Sequence, residues 1–308
     1  MNRDLIELYE PILRARSPEL PLPPFTLSVE VFPPRTPEAT VAFWQELGEM
    51  REVAPAFVSI TCGAGGTGRD GTFPLALEVR RRLGLEVAAH LTCAGHSRAE
   101  VDALAEAYWQ NGIRRLVALR GDPPRGSGPY RPRPDGYAYA VDLVRGLKAI
   151  APFDISVAGY PETHPEAPDP EFDLDNVRRK VEAGASRVIG QYCFDTDRIL
   201  RYRDALIARG VSVPFVPGIM PIHSFAQIAR FSARCGAAIP DWLARMFEGV
   251  PEGSTLHTML AASVVAEQVR RLVREGFRHF HVYALNRAAP TRAICRLLDL
   301  PAVREAAA

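Results

Sequence analysis

The chain has no CxxC pair and no even set of cysteines: Cys62, Cys93, Cys193, Cys235 and Cys295 stand far apart. That spacing argues against a disulfide framework and a zinc site, and leaves reduced, mostly buried thiols as the expectation. Nothing approaches the roughly 18 consecutive apolar residues of a membrane helix, and the first residues, MNRDLIELYE, lack the apolar core of a signal peptide. A cytoplasmic protein without a membrane partner is expected. An excess of either charge is missing too, since 37 Lys and Arg meet 36 Asp and Glu for a net +1. Arginine runs such as residues 80–82 are answered by nearby acids, so no basic face is set out for nucleic acid. No low-complexity linker divides the 308 residues, 47% of them hydrophobic. They read as one domain, 1–308, with an N-terminal extension over 1–24 that is helical at 2–16.

What is present is an alternation. Strand-like runs fall at 25–31, 57–61, 86–92, 115–120, 154–160, 187–192, 213–219 and 280–285. Helical stretches lie between them, at 37–53, 97–111, 138–150, 173–183, 195–209 and 254–275, and Ser97 with Glu100 spells a capping box. Extra helices at 224–235 and 241–248 precede the last strand. Eight strands alternating with helices over this length is the count of a (β/α)8 TIM barrel, an α/β fold. A doubly wound open sheet is the alternative.

The polar residues collect where such strands end: Glu30, Thr61, His90 with Thr92, Arg120 with Asp122, Tyr160, Gln191, and Asn286 with Arg287. In a parallel barrel these ends share one face, the face that carries active sites. Glu30 closes a strand of Leu27, Val29 and Val31, and a partly desolvated barrel mouth should raise its pKa and equip it to donate a proton. A salt bridge to Arg120 or Arg35 is the other reading. RLVALRGDPP at 115–124 puts a cation, a bare backbone and a carboxylate at the end of an apolar strand. The run GAGGTG at 63–68 fits a dinucleotide loop, but Gly71 and Pro74 are expected to keep the chain irregular where that loop should open a helix. YPETHPE at 160–166 reads as a stiff polar rim. After it a helix is expected to start at Asp173, with Asp173, Asn176 and Lys180 on one face beside the stripe Leu174, Val177 and Val181. His279 and His281 share a strand face, a spacing that can ligate metal, but no third ligand accompanies them and no metal is expected.

Taken together, SVEVFPPR (28–35), SITCGAGG (59–66), AHLTC (89–93), VALRGDPP (117–124), AGYPETHPEA (158–167), RRKVEAGASRVIGQYCFD (178–195), PGIMPI (217–222) and HVYALNRA (281–288) resemble the blocks of bacterial methylenetetrahydrofolate reductase, in that family's order. The resemblance implies a (β/α)8 flavoenzyme. NADH or NADPH would pass hydride to FAD, and FAD would reduce 5,10-methylenetetrahydrofolate to 5-methyltetrahydrofolate in ping-pong order, in one-carbon metabolism and methionine supply. It implies Glu30 as the acid that opens the folate ring and Asp122 as the carboxylate beside flavin and pterin. For FAD it implies Thr61, Cys62, Ala64, His90, Arg120, Gly121, Asp122, Ala140, Tyr160, His164, Asp173, Asn176, Arg179 and Lys180. For substrate it implies Gln191, Gln227, Phe231 and Arg287. The sequence departs from the family pattern at Val31, at Cys62 and at 190–193, Gly-Gln-Tyr-Cys in place of Thr-Gln-Phe-Phe. A homo-oligomer working on small molecules is expected. The competing readings are a non-catalytic folate- or flavin-binding barrel and a metal-dependent barrel hydrolase.

Overall fold

The structure is a computed structural model that describes residues 22–62, 71–123, 126, 128–298 and 300. The expected helix at 2–16 and the glycine run at 63–68 lie outside the described residues. Eight parallel strands close into a barrel in chain order: β1 (Thr26–Val31), β2 (Val58–Ile60), β3 (Val87–Thr92), β4 (Arg115–Leu119), β5 (Asp154–Gly159), β6 (Arg187–Tyr192), β7 (Phe215–Ile219) and β8 (His279–Tyr283). β8 pairs back onto β1, with Glu30 opposite Tyr283. Each expected strand is present, within two residues at either end.

Ten α-helices surround the barrel among the described residues: α1 (Pro37–Met50), α2 (Thr72–Leu83), α3 (Arg98–Gln110), α4 (Ala140–Ile150), α5 (Pro170–Glu182), α6 (Thr196–Ala208), α7 (Phe225–Cys235), α8 (Asp241–Phe247), α9 (Thr255–Arg274) and α10 (Ala288–Leu297). Their starts are chemically marked. Ser97 and Glu100 form the capping box of α3, and Asp195, Ser224 and Ser254 accept backbone N–H groups at the starts of α6, α7 and α9. Two expectations fail. The stretch after Gly71 is a helix, α2, because Pro74 sits in its first turn, where the missing N–H has no partner to lose. And α5 begins at Pro170 under an Asp169 cap, not at Asp173.

The core has two parts. Strand residues facing outward, such as Leu27, Val29, Leu116 and Ala118, pack against the helices in one large cluster. Inside the barrel the apolar cluster is small: Phe57, Ala88, Val117 and Ile189, with Leu119 against it. The rest of the interior is polar. At its lower end Asp154 bridges Arg115 at 2.6 Å and Arg187 at 2.8 Å, and both guanidiniums lie over the Phe57 ring. Gly190 explains one departure from the family pattern: a Cβ there would stand 2.8 Å from the Phe215 ring, which occupies the space a threonine would need. None of the helices among the described residues is long and apolar enough to cross a membrane.

Candidate active site

The upper mouth of the barrel opens into a cavity of about 1260 Å³, beyond the roughly 300–1,000 Å³ of a site for one drug-sized ligand. Strand ends and the loops after them line it, as parallel strands closing in order must arrange. Of the residues singled out from the sequence, Glu30, Thr61, Cys62, His90, Arg120, Gly121, Asp122, Ala140, Tyr160, His164, Asp173, Asn176, Arg179, Lys180 and Gln191 all contribute to this lining. Ala64 lies outside the described residues. Gln227, Phe231 and Arg287 are not part of the lining. Gln227 is bonded to His223 at 2.8 Å, and the Phe231 ring stacks on Tyr192. Arg287 is exposed at the start of α10.

Glu30 departs from expectation. It pairs neither with Arg120 nor with Arg35 but with two histidines, His90 Nε2 at 3.3 Å and His281 Nε2 at 3.6 Å, both against Oε2. Burial alone would raise its pKa, but the His281 and His90 side chains outweigh burial and hold the carboxyl down at about 2. At neutral pH Glu30 is a carboxylate. The raised pKa expected from the apolar strand is not found, because the two neighbours that lower it come from β3 and β8, far away in sequence.

The residues that the resemblance assigns to a flavin divide by chemistry. Arg120 forms a two-pronged pair with Glu166, with Nη2 3.1 Å from Oε1 and the second contact through Nη1 and Oε2, and its guanidinium lies over Tyr130. Gly121 has φ +83, and a Cβ on it would stand 2.9 Å from Thr92 Cβ, so only glycine brings the backbone this close. Thr163 holds φ +68, uncommon for a β-branched residue. The His164 N–H donates to Asp173 at 3.0 Å, and the His164 ring stands edge-on to Tyr160. Lys180 is buried and donates to Ala158 O at 2.7 Å; burial pushes its pKa down to about 8. An anion in the cavity would raise it again.

Sequence reading left three contributors out of the site, having weighed His281 only for metal and Glu166 only as rim. Asn286, taken as part of the polar ring, clamps the Phe32 backbone with both ends of its amide at 2.9 Å, and β8 supplies Tyr283 and His281 to the cavity instead. Tyr283 donates to Gly190 O at 2.9 Å. Glu166 is the third. Two steps of alternation back from the end of β8 would have found Tyr283 and His281. Among the described residues no group of His, Cys, Asp and Glu could hold a metal ion.

These residues suit a flavin dinucleotide on three observations. His90 Nε2 is buried and, although close to Glu30, lies out of line for any hydrogen bond, so a polar ring edge could meet it. Gly121 offers bare backbone. Arg120, Arg179 and Lys180 gather positive charge for phosphates.

The family model of methylenetetrahydrofolate reductase matches residues 22–299. The 5,10-methylenetetrahydrofolate reductases of Salmonella typhimurium and Escherichia coli are each 44% identical over 274 residues, covering 89% of this chain and 90% of theirs. A Zea mays methylenetetrahydrofolate reductase (NADH) is 32% identical over 90% of this chain and 48% of its own length. Among solved structures, an uncharacterized Clostridium thermocellum protein that binds two copies of 5-methyl-5,6,7,8-tetrahydrofolic acid aligns with TM-score 0.59 at 12% identity, covering 94% of this chain and 97% of that one, a likeness of fold alone.

Proposed function

The chain belongs to the methylenetetrahydrofolate reductase family of enzymes, and on that premise we propose that it reduces 5,10-methylenetetrahydrofolate to 5-methyltetrahydrofolate with FAD bound in the barrel mouth and NADH or NADPH as donor, in ping-pong order. FAD, when bound, carries the hydride from nicotinamide to folate. The observation that carries the reading is one oversized cavity lined by fifteen of the residues the family pattern singles out, with a carboxylate flanked by two histidines at its floor.

On this reading Arg120, Arg179 and Lys180 hold the anionic part of the cofactor, with Tyr160, His164, Asp173 and Asn176 shaping its seat. Thr61, Cys62, His90, Gly121, Asp122 and Ala140 meet the rest of it. Gln191 faces whichever second ligand is present, and Gln227, Phe231 and Arg287, outside the cavity lining, are assigned to folate by the family pattern alone. Glu30 delivers a proton to the folate amine nitrogen, so that ring opening leaves an electrophilic iminium carbon. Asp122 opposes the cationic charge that develops there.

Initial rates test the order of events. With FAD-loaded enzyme, double-reciprocal plots against nicotinamide at several folate concentrations should be parallel. Lines that converge would mean both substrates bind together, which one shared site beside the flavin does not allow.

A further inference from the structure

The Glu30 carboxylate stands on a buried polar column. His281 Nε2 faces Glu30 and lies 3.3 Å from Ser59 Oγ, while Nδ1 is 2.7 Å from Ser28 Oγ. Ser28 Oγ is in turn 3.1 Å from His279 Nε2. His281, Ser28 and Ser59 are essentially inaccessible, and His279 is partly exposed at the lower end. Other positions inside this barrel carry Ala88, Val117 and Ile189, so packing alone does not ask for histidine here.

The lower end sets the direction of the column. Burial, joined by the nearby His281, Arg187 and Arg115, lowers the pKa of His279 to about 4, so it is neutral at pH 7. The Ser28 hydroxyl hydrogen has acceptors in Phe280 O at 3.4 Å and in the acceptor nitrogen of a neutral His279. The Ser28 oxygen is then left to accept from His281 Nδ1. His281 keeps its Nδ1 proton, and the nitrogen at which a proton comes and goes is Nε2, the one that faces Glu30.

We propose that His281 is the positioning residue that supplies Glu30 with the proton it delivers, an inference that rests on Glu30 acting as the acid. The step begins with the proton on His281 Nε2 and Glu30 as a carboxylate. A ligand filling the mouth removes water, and in the drier site the two charges are less stable than the neutral pair. The His281 Nε2–H bond breaks as a Glu30 Oε2–H bond forms, leaving a neutral ring protonated at Nδ1. The Glu30 O–H bond then breaks as an N–H bond forms on the folate amine, and the carboxylate returns. No electrons change hands, and a solvent proton restores Nε2–H once product leaves. The other groups facing His281 are His90 across the shared carboxylate, Tyr283 edge-on at 5.4 Å, and Phe57 stacked at 6.0 Å, whose ring carries Arg115 and Arg187; the facing residue on β7 is Gly218.

His281→Gln places an amide near the Nε2 position but cannot titrate. It should slow the folate half-reaction by about 10- to 100-fold, within the range of general acid–base effects, and the nicotinamide half-reaction by much less, while flattening the alkaline limb of the folate rate against pH. Ser28→Ala should do the same more weakly. A variant with wild-type folate rate and pH profile would overturn the proposal. So would equal loss of both half-reactions together with loss of flavin, which would make His281 scaffold. Because a buried substitution can misfold, the wild-type protein labelled with ¹⁵N-histidine gives an independent readout by NMR. In the neutral ring the proton should sit on Nδ1 and leave Nε2 bare; a neutral ring protonated at Nε2 would contradict the column. If the wild-type protein reduces no folate, the functional reading fails instead, and the NMR result still decides the state of His281.

Discussion

Glu30→Gln is expected to slow reduction of methylenetetrahydrofolate by about 10²- to 10⁴-fold, the span that a positioned acid contributes, while the nicotinamide half-reaction falls far less. Hydride transfer from nicotinamide needs no proton from this carboxyl, whereas opening the folate ring does. Glutamine keeps the shape and a polar oxygen facing His90 and His281, so the difference between the two half-reactions isolates the proton. The check is stopped-flow absorbance of each half-reaction at one pH. Equal loss in both would remove Glu30 from the role of acid.

The second large effect is expected at Asp122. It lines the cavity beside Gly121 and is exposed in the open site, so its charge acts weakly until ligands displace water. Once they do, its carboxylate opposes the positive charge on the ring-opened folate, and its loss should cost on the order of 10²-fold in the folate half-reaction. The same negative charge disfavours a reduced, electron-rich flavin, so Asp122→Asn should make the flavin easier to reduce. Spectroelectrochemical titration with the folate half-reaction checks both. An unchanged folate rate would return Asp122 to the scaffold.

The barrel was legible because its signals are local. Apolar runs such as 115–119 and 187–192 have the length and β-branched content of buried strands, and Ser97, Asp195, Ser224 and Ser254 announce helix starts one residue before they occur. The helix α2 went unread because Pro74 was taken as a breaker, and α5 starts three residues before the expected Asp173. Pro74 and Pro170 both sit in first turns, where proline is tolerated. The ring of polar strand ends was legible because a two-residue alternation fixes which side chains face inward, and it failed at Asn286, where the chain leaves the strand and the amide turns to the Phe32 backbone. The state of Glu30 was not legible. Its partners His90 and His281 are 60 and 251 residues away in sequence, and only barrel closure brings them to one oxygen. For the same reason nothing near Gly190 in the sequence foretold that Phe215 would take the space beside it.

The most direct test of the account is the visible absorbance of the purified protein under anaerobic conditions. A flavin band should bleach when NADH or NADPH is added, and it should return when methylenetetrahydrofolate follows, with one equivalent of 5-methyltetrahydrofolate formed per flavin. A protein that takes up no FAD, or whose reduced flavin is left unchanged by methylenetetrahydrofolate, would contradict it.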